Sequence, residues 1–281
     1  MIDWNSSFVD RDDAELAQRL DERRELVAGL RLVNFSAGAN LKMSAAVDAL
    51  ESWRREQEPP WRASAVLACA CAAALRRDPL FGAMFDGRDR LQLPAEPSLG
   101  IGIDTGDRAR ILVLPQAAAA PPAELAAAVD AGMAGVSGRP PPPFAASGDR
   151  RVGAWRRRKR WALMSAQELR LRFDYLMPPL QRRRFERWAE RQGHFQIHNV
   201  GARGVQEFKG FLRRPAVAAL WALAIEPQVV TDGDGGFVRQ LRWPLVLVYS
   251  QELIPVDRAC AFLSQVVGAL ERPAELLGGG R

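Results

Sequence analysis

Few side chains in this sequence have the means to do chemistry, and they sit in three places. His194 and His198 are its only two histidines among 281 residues. Both fall in HFQIHNVG, a segment that predicts a strand. Histidine titrates near neutrality, which makes it the usual carrier of general-base work. Three cysteines, Cys69, Cys71 and Cys260, form an odd set without metal-ligand spacing. Cys69 and Cys71 lie two apart in an alanine-rich helical stretch, so they point in different directions. They are expected to be small core residues in a reducing cytoplasm, with neither a disulfide scaffold nor a metal site. The third place is a run of arginines. Residues 150–193 hold Arg150, Arg151, Arg156, Arg157, Arg158, Arg160, Arg170, Arg172, Arg182, Arg183, Arg184, Arg187 and Arg191 with Lys159, while the rest of the chain is close to neutral or acidic.

The elements that must position these groups follow from pattern. DDAELAQRLDERRELVAGL predicts a helix, VNFSAGANLKM a strand, and SAAVDALESWRREQ a helix with Ser44 as its cap. ASAVLACACAAALRRDP is apolar nearly all round, which predicts a buried helix ending at Asp78-Pro79. PSLGIGIDTG and ARILVLPQA form a strand pair split at Gly106-Asp107, and PAELAAAVDAGMAGV is another helix. Residues 138–149 are a proline-rich linker, and the arginine-rich segment predicts two helices broken at Pro178-Pro179. Four strands follow, HFQIHNVG, PAVAALWALA, GFVRQLRW and PLVLVYS, then a closing helix PVDRACAFLSQVVGALE and a fraying LLGGGR. Helices mixed with strands of both buried and alternating kinds predict an α/β fold with a mixed sheet, in a single domain over 1–281.

Composition supports a globular chain: 48% hydrophobic, 26% charged, net charge +6. All but three of the 39 basic residues are arginine (the lysines are Lys42, Lys159 and Lys209), much as a GC-rich genome would give. No apolar run approaches the ~20 residues of a membrane-spanning helix. The opening MIDWNSSFVDRDDAE is acidic and polar, so neither a secretory signal nor a transit peptide is expected. These features predict a cytoplasmic protein with no membrane partner.

Six fragments, in order, resemble one family. DPLFGAMFDG resembles a His-Pro-x-x-Asn-Ala-x-x-Asp-Gly turn, with Gly82 in place of the asparagine. SLGIGIDTGDRARILVLPQA is similar to an Ile-Gly-x-Ala-Val-x-Thr-Pro-x-Gly-Leu-x-x-Pro-Val hairpin, and HFQIHNVGARGV to a Thr-Phe-Thr-Ile-Ser-Asn-Leu-Gly strand and turn. PAVAAL matches Pro-x-x-Ala-Ile-Leu, and VVTDGDG looks like the hairpin turn that follows it. PLVLVYSQELIPVDRACAFL is similar to Pro-Leu-x-Leu-Ser-x-Asp-His-Arg-Val-x-Asp-Gly-Ala-x-x-Ala-x-Phe-Leu. From about residue 30 to 272 the chain thus resembles the catalytic domain of dihydrolipoyl acyltransferases, which shares its fold with chloramphenicol acetyltransferase.

The resemblance implies a two-layer sandwich of mixed sheet and helices, assembled as a homotrimer or a multiple of three. It implies acyl transfer between coenzyme A and a thiol or hydroxyl in a channel between subunits, with a histidine base and a serine or threonine donor to the oxyanion. A coenzyme A ester would be substrate, with no bound cofactor. The chain departs from the pattern where the chemistry lies. Gln251 stands at the histidine position, flanked by Ser250 and Glu252, and Pro255-Val256 replace the Asp-Gly pair. His198 stands at the oxyanion serine. Two readings follow: an altered or inactive relative acting as an assembly or binding core, or an active enzyme with His198 as base and Gln251 of a neighbouring subunit as oxyanion donor. The chain shows no lipoyl-type domain, so it is not expected to serve alone as a swinging-arm component.

The resemblance also makes residues 138–193 an insertion, because the family joins the flanking helix and strand by a short loop. Its basic helices either pack on the domain with arginines outward or grip an acidic protein, such as an acyl carrier protein or partner subunit, through Arg156, Arg157, Arg158 and Arg160. Nucleic acid, through phosphate pairing and stacking on Trp155, Trp161, Phe185 and Trp188, is the least favoured partner. Trp221 stands where the family has a strand glycine, as core filling or as a plug in the substrate channel.

Overall fold

The computed structural model describes residues 38–58, 60–85, 91–104, 109–137, 186–212, 215–232 and 234–277. Strand β1 (Gly38–Ala46) leads into helices α1 (Asp48–Glu56) and α2 (Ala63–Arg77). A 3-10 turn (Pro79–Gly82) and a small hairpin, β2 (Met84–Phe85) with β3 (Leu91–Gln92), come next. The hairpin of β4 (Leu99–Asp104) and β5 (Ala109–Leu114) precedes α3 (Pro122–Ser137). Residues 186–192 are helical. The chain ends with β6 (Phe195–Asn199), β7 (Ala218–Ala222), β8 (Glu226–Thr231), β9 (Phe237–Ser250), α4 (Val256–Glu271) and α5 (Pro273–Leu277). The predicted N-terminal helix, the proline-rich linker and the first of the two arginine-rich helices lie outside the described residues; of the terminal LLGGGR, expected to fray, Leu276 and Leu277 close α5 and residues 278–281 lie outside.

The sheet runs β1-β9-β7-β6-β4-β5, with β8 paired to the outer half of β9. β4, β6 and β7 are mutually parallel, and the other pairs are antiparallel. This is the mixed α/β architecture the pattern predicts. Helices pack on one face, and α2 is at their centre. Alanine is the strongest helix former, and its small side chains let α3 and α4 both approach. From Ala65 to Leu75 nearly every α2 residue is buried, Cys69 and Cys71 included. Burial pushes the Cys71 thiol well above its ordinary value and the Cys69 thiol up to about 12, so both are core thiols and not nucleophiles. Phe262 of α4 stacks on Phe81 at 3.9 Å, with Phe195 of β6 alongside at 5.6 Å.

Helix α2 stops where Asp78 precedes proline, as expected. Asp78 then does three things: its N–H bonds the Ala74 carbonyl, its carboxylate accepts from Leu80 N, and Arg258 grips it through two bonds of 2.7 and 2.9 Å. That bidentate pair fastens the end of α2 to the start of α4.

Three expectations change. Ser44 is not a helix cap. It lies in β1 opposite Pro244, and α1 begins only at Asp48, with no side-chain cap. Strand pairing wins because Met43 and Ala45 pack into the core, and Val47 N–H continues the ladder to the Leu241 carbonyl. GFVRQLRW and PLVLVYS are one strand, β9, running through Pro244. The Pro244 carbonyl accepts from Leu223 N, so its nitrogen faces the same side. There it falls in the gap between the last β8 pair (Glu226↔Arg242) and the first β7 pair (Ala222↔Leu245). No ladder bond is lost, which is how a strand tolerates proline. Finally, EPQVVT forms β8 ahead of the expected hairpin turn, which Asp232 ties by accepting from Asp234 N and Gly236 N.

Candidate functional site

The stretch carrying both histidines enters the sheet beside β4, and close backbone contact sets its position. The helical residues 186–192 end at Gly193, whose φ of +74° is a left-handed cap with its N–H on the Ala189 carbonyl. There the Gln192 carbonyl lies directly over Gly100, at a place that any β-carbon would occupy. A glycine at 100 is therefore a condition for β6 to join β4.

His194 follows at once and is wholly buried, as is Ser98. The Ser98 N–H donates to Nδ1 of His194 at 3.1 Å, and the Ser98 hydroxyl lies 2.7 Å from the same nitrogen. The backbone bonds back: His194 N–H reaches both the carbonyl and the hydroxyl oxygen of Ser98. Nδ1 is thus an acceptor and the proton sits on Nε2. Desolvation pushes the imidazole down to about 4, so it is neutral at neutral pH. A serine and a histidine in contact suggest a nucleophile and its base, yet neither meets solvent. The pair is a clamp between the starts of β4 and β6.

Four residues on, His198 is only half-buried and differently held. It pairs across the sheet with Gly102 of β4 and Trp221 of β7. Its Nδ1 lies where a side chain at Gly102 would begin, so the glycine makes room for the ring. Nε2 reaches Gln196 Oε1 at 3.4 Å, and Gln196 in turn donates to Gln192 Oε1 at 3.4 Å. The imidazole stacks on Trp221 (5.0 Å, 20°), and Phe208 stacks on the same indole (5.3 Å, 23°). Burial lowers the His198 pKa, which keeps the ring neutral. No carboxylate bonds it among the described residues, so a proton taken up there would lack a countercharge. Trp221, for which core filling and a channel plug were both open, is buried in the sheet's second apolar cluster, with Val246, Val248 and Leu212.

Gln251 is exposed in the turn after β9, where Leu253 N–H and Ile254 N–H both bond the Ser250 carbonyl. His198 is level with Val246 through Trp221. Five residues of strand therefore separate the two along the sheet, about 17 Å at the usual rise. Within one chain His198 and Gln251 do not meet. Asn199 is the last residue of β6, and its amide donates to Ser64 Oγ at the start of α2. Arg156, Arg157, Arg158 and Arg160 lie outside the described residues. Among the described residues no cluster of His, Cys, Asp or Glu could hold a metal ion, and no helix is long and apolar enough to cross a membrane. Ser98 is the partner of His194 that sequence reasoning missed, and no local signal marks it.

Solved structures share this architecture over nearly the whole chain. One is the dihydrolipoamide acetyltransferase of Azotobacter vinelandii, 19% identical, with a TM-score of 0.61 over 94% of this chain and 91% of that one. Another, chloramphenicol acetyltransferase, is 11% identical and superposes with a TM-score of 0.54 over 96% and 99%. The chain has the chloramphenicol acetyltransferase fold. A probable dihydrolipoamide acetyltransferase from Listeria monocytogenes has that fold too, at 14% identity and a TM-score of 0.61, over 98% of this chain and 96% of that one. No family profile matches the sequence, and no curated protein does either. At these identities it is the chloramphenicol acetyltransferase fold that is shared. Chemistry has to be argued from the residues.

Proposed function

We propose that this chain is an acyltransferase-fold core whose standard acyl-transfer site has been given up, and that it serves as an assembly or binding core in an acyl-transfer or biosynthetic system. The observation that carries this reading is the turn after β9. It presents Gln251 and Glu252 where the resemblance places a histidine base, and an amide cannot take a proton at neutral pH. The described alternative base, His198, has no carboxylate to orient it, and both its nitrogens face the sheet, toward Gly102 and Gln196. An assembled role agrees with a neighbour described as the cubic core of the pyruvate dehydrogenase multienzyme complex. The copies would associate as a homotrimer or a multiple of three. The arginines at 156–158 and 160 would hold an acidic protein partner.

The test is turnover. Purified chain, offered acetyl-coenzyme A or longer acyl esters with dihydrolipoamide as acceptor, releases no coenzyme A above the uncatalysed rate. Release that disappears in His198→Ala would overturn the reading and make His198 the base of a working enzyme, with Gln251 of a neighbouring copy as its oxyanion donor. The lowered pKa and half-exposure of His198 are what support that second reading.

A further inference from the structure

The helix layer ends before the sheet does. β8 and the outer half of β9 form a two-stranded arm that runs on past β1. The last β1 pair is Ala46↔Arg242, and from there outward β8 is the strand paired with β9 among the described residues. At the root of the arm Leu241 still packs against the core, and its N–H donates to Asp48 at the start of α1. Leu241, Arg239 and Phe237 alternate onto the face that carries the helices, and the register sets Pro227, Val229 and Thr231 beside them. Past Leu241 that face is bare among the described residues: Val229 is 71% exposed and Phe237 77%, with Arg239 opposite Val229 and exposed as well. Val238 is exposed on the other face. A ribbon of two strands is marginal in water on its own. Large apolar residues gathered bare on one element mark an interaction surface.

The opposite end of β9 has the complementary character. After Ser250 the chain turns through Gln251 and Glu252 into α4, whose first residue, Val256, is 56% exposed, with Asp257 exposed beside it. The arm thus presents two apolar side chains and a cation, and the far end an apolar side chain with acids around it. The length of β9, about 40 Å at the usual rise, keeps the two apart. One molecule cannot bring its own two ends together, but two copies can. We propose that the β8–β9 arm of one copy seats on the start of α4 in the next, with Val229 and Phe237 against Val256 and Arg239 against Asp257. This rests on the assembly reading above and says which surfaces assemble. The surface given differs from the surface received, so the contact is head-to-tail, a kind that closes into a ring or runs on as a filament. A ring of three uses every arm and every seat once. It also sets the arm of one copy beside Gln251 of the next, so the turn that lacks a histidine becomes a seat.

Analytical ultracentrifugation of the full chain over a dilution series tests it. Wild type should sediment as a trimer or a multiple of three. Phe237→Ser should weaken association about thirtyfold or more, the scale of a central aromatic anchor. Its circular dichroism should stay that of the wild type, because the side chain it replaces is exposed. Arg239→Glu and Asp257→Arg should each weaken association about tenfold, and the two together should bring it back to within about threefold of wild type, because the exchanged charges attract again. Wild-type assembly that survives Phe237→Ser and Arg239→Glu unchanged would overturn the arm while leaving an assembled core held by another surface. A double variant no better than either single one would overturn the seat on α4. A wild type that stays monomeric at every concentration would overturn both the arm and the assembled core, and the bare apolar ribbon would then belong to a different protein's interface.

Discussion

The two histidines lie four residues apart, yet the two ends of this strand are built on different terms. At the His194 end backbone meets backbone: Gln192 rests on Gly100, Gly193 turns left-handed, and Ser98 saturates Nδ1 in a dry interior. At the His198 end side chain meets side chain: an imidazole stacks on an indole that also carries Phe208, with two long amide contacts nearby. The first arrangement has no way to yield, whereas the second can repack. Burial lowers both pKa values. The same residue type is thus a clamp at one end and a half-buried, neutral ring at the other, and neighbours decide which.

The sharpest way to break this contrast is at its rigid end. Gly100→Ala drives a methyl into the Gln192 carbonyl, which cannot rotate aside; the strand must shift, and thermal unfolding should show a loss of more than about 3 kcal/mol. His194→Ala should come next, at about 3 kcal/mol, because it opens a cavity and strands the buried Ser98 groups. If His194→Ala cost no more than His198→Ala, the clamp reading would be wrong.

Acid probes the same end without a mutation. Folding holds His194 neutral down to about 4, while the unfolded chain takes up its proton near 6.5. Between those values the unfolded state binds more protons, so stability rises with pH. It is fully present above about pH 6.5 and is lost as pH falls toward 4. The drop from the ordinary 6.5 to about 4 corresponds to on the order of 3 kcal/mol. Denaturant melts across that range should show most of this slope in the wild type and much less of it in His194→Gln.

At the yielding end effects shrink. Gly102→Ala pushes on the His198 ring, which can turn, so about 1–2 kcal/mol is expected. His198→Ala removes one stacking partner of Trp221 and should cost about 1 kcal/mol. Calorimetry that ranked Gly102→Ala above Gly100→Ala would reverse the comparison.

Much of the architecture was legible because it is written in local pattern: an apolar α2 between a proline break and Asp78-Pro79, the β4–β5 hairpin, and α4 with its helical spacing. What failed to show was whatever depends on a distant partner. Ser44 has the chemistry of a cap, but pairing to β9 took it into a strand. Pro244 argues for a break, yet it sits where β9 changes neighbours and loses nothing. Strand position alone placed His198 on the sheet, but its stack on Trp221 arises only because β6 and β7 lie side by side. The Ser98 clamp joins segments 96 residues apart, and nothing around Ser98 announces it.

The long central strand also sets the order in which the chain can be made. Residues 38–46 have their partners at 242–250, so the first strand of the sheet leaves the ribosome long before the strand that will hold it. At the usual 5–20 residues per second that wait is about 10–40 s. Through it the β4–β5 hairpin can close on itself, but β1 keeps an open edge and an apolar face whose cover, among the described residues, comes from the distant α4. Nascent chains shorter than about 240 residues should therefore draw chaperones to the β1 region, and release of that binding should coincide with the emergence of β9.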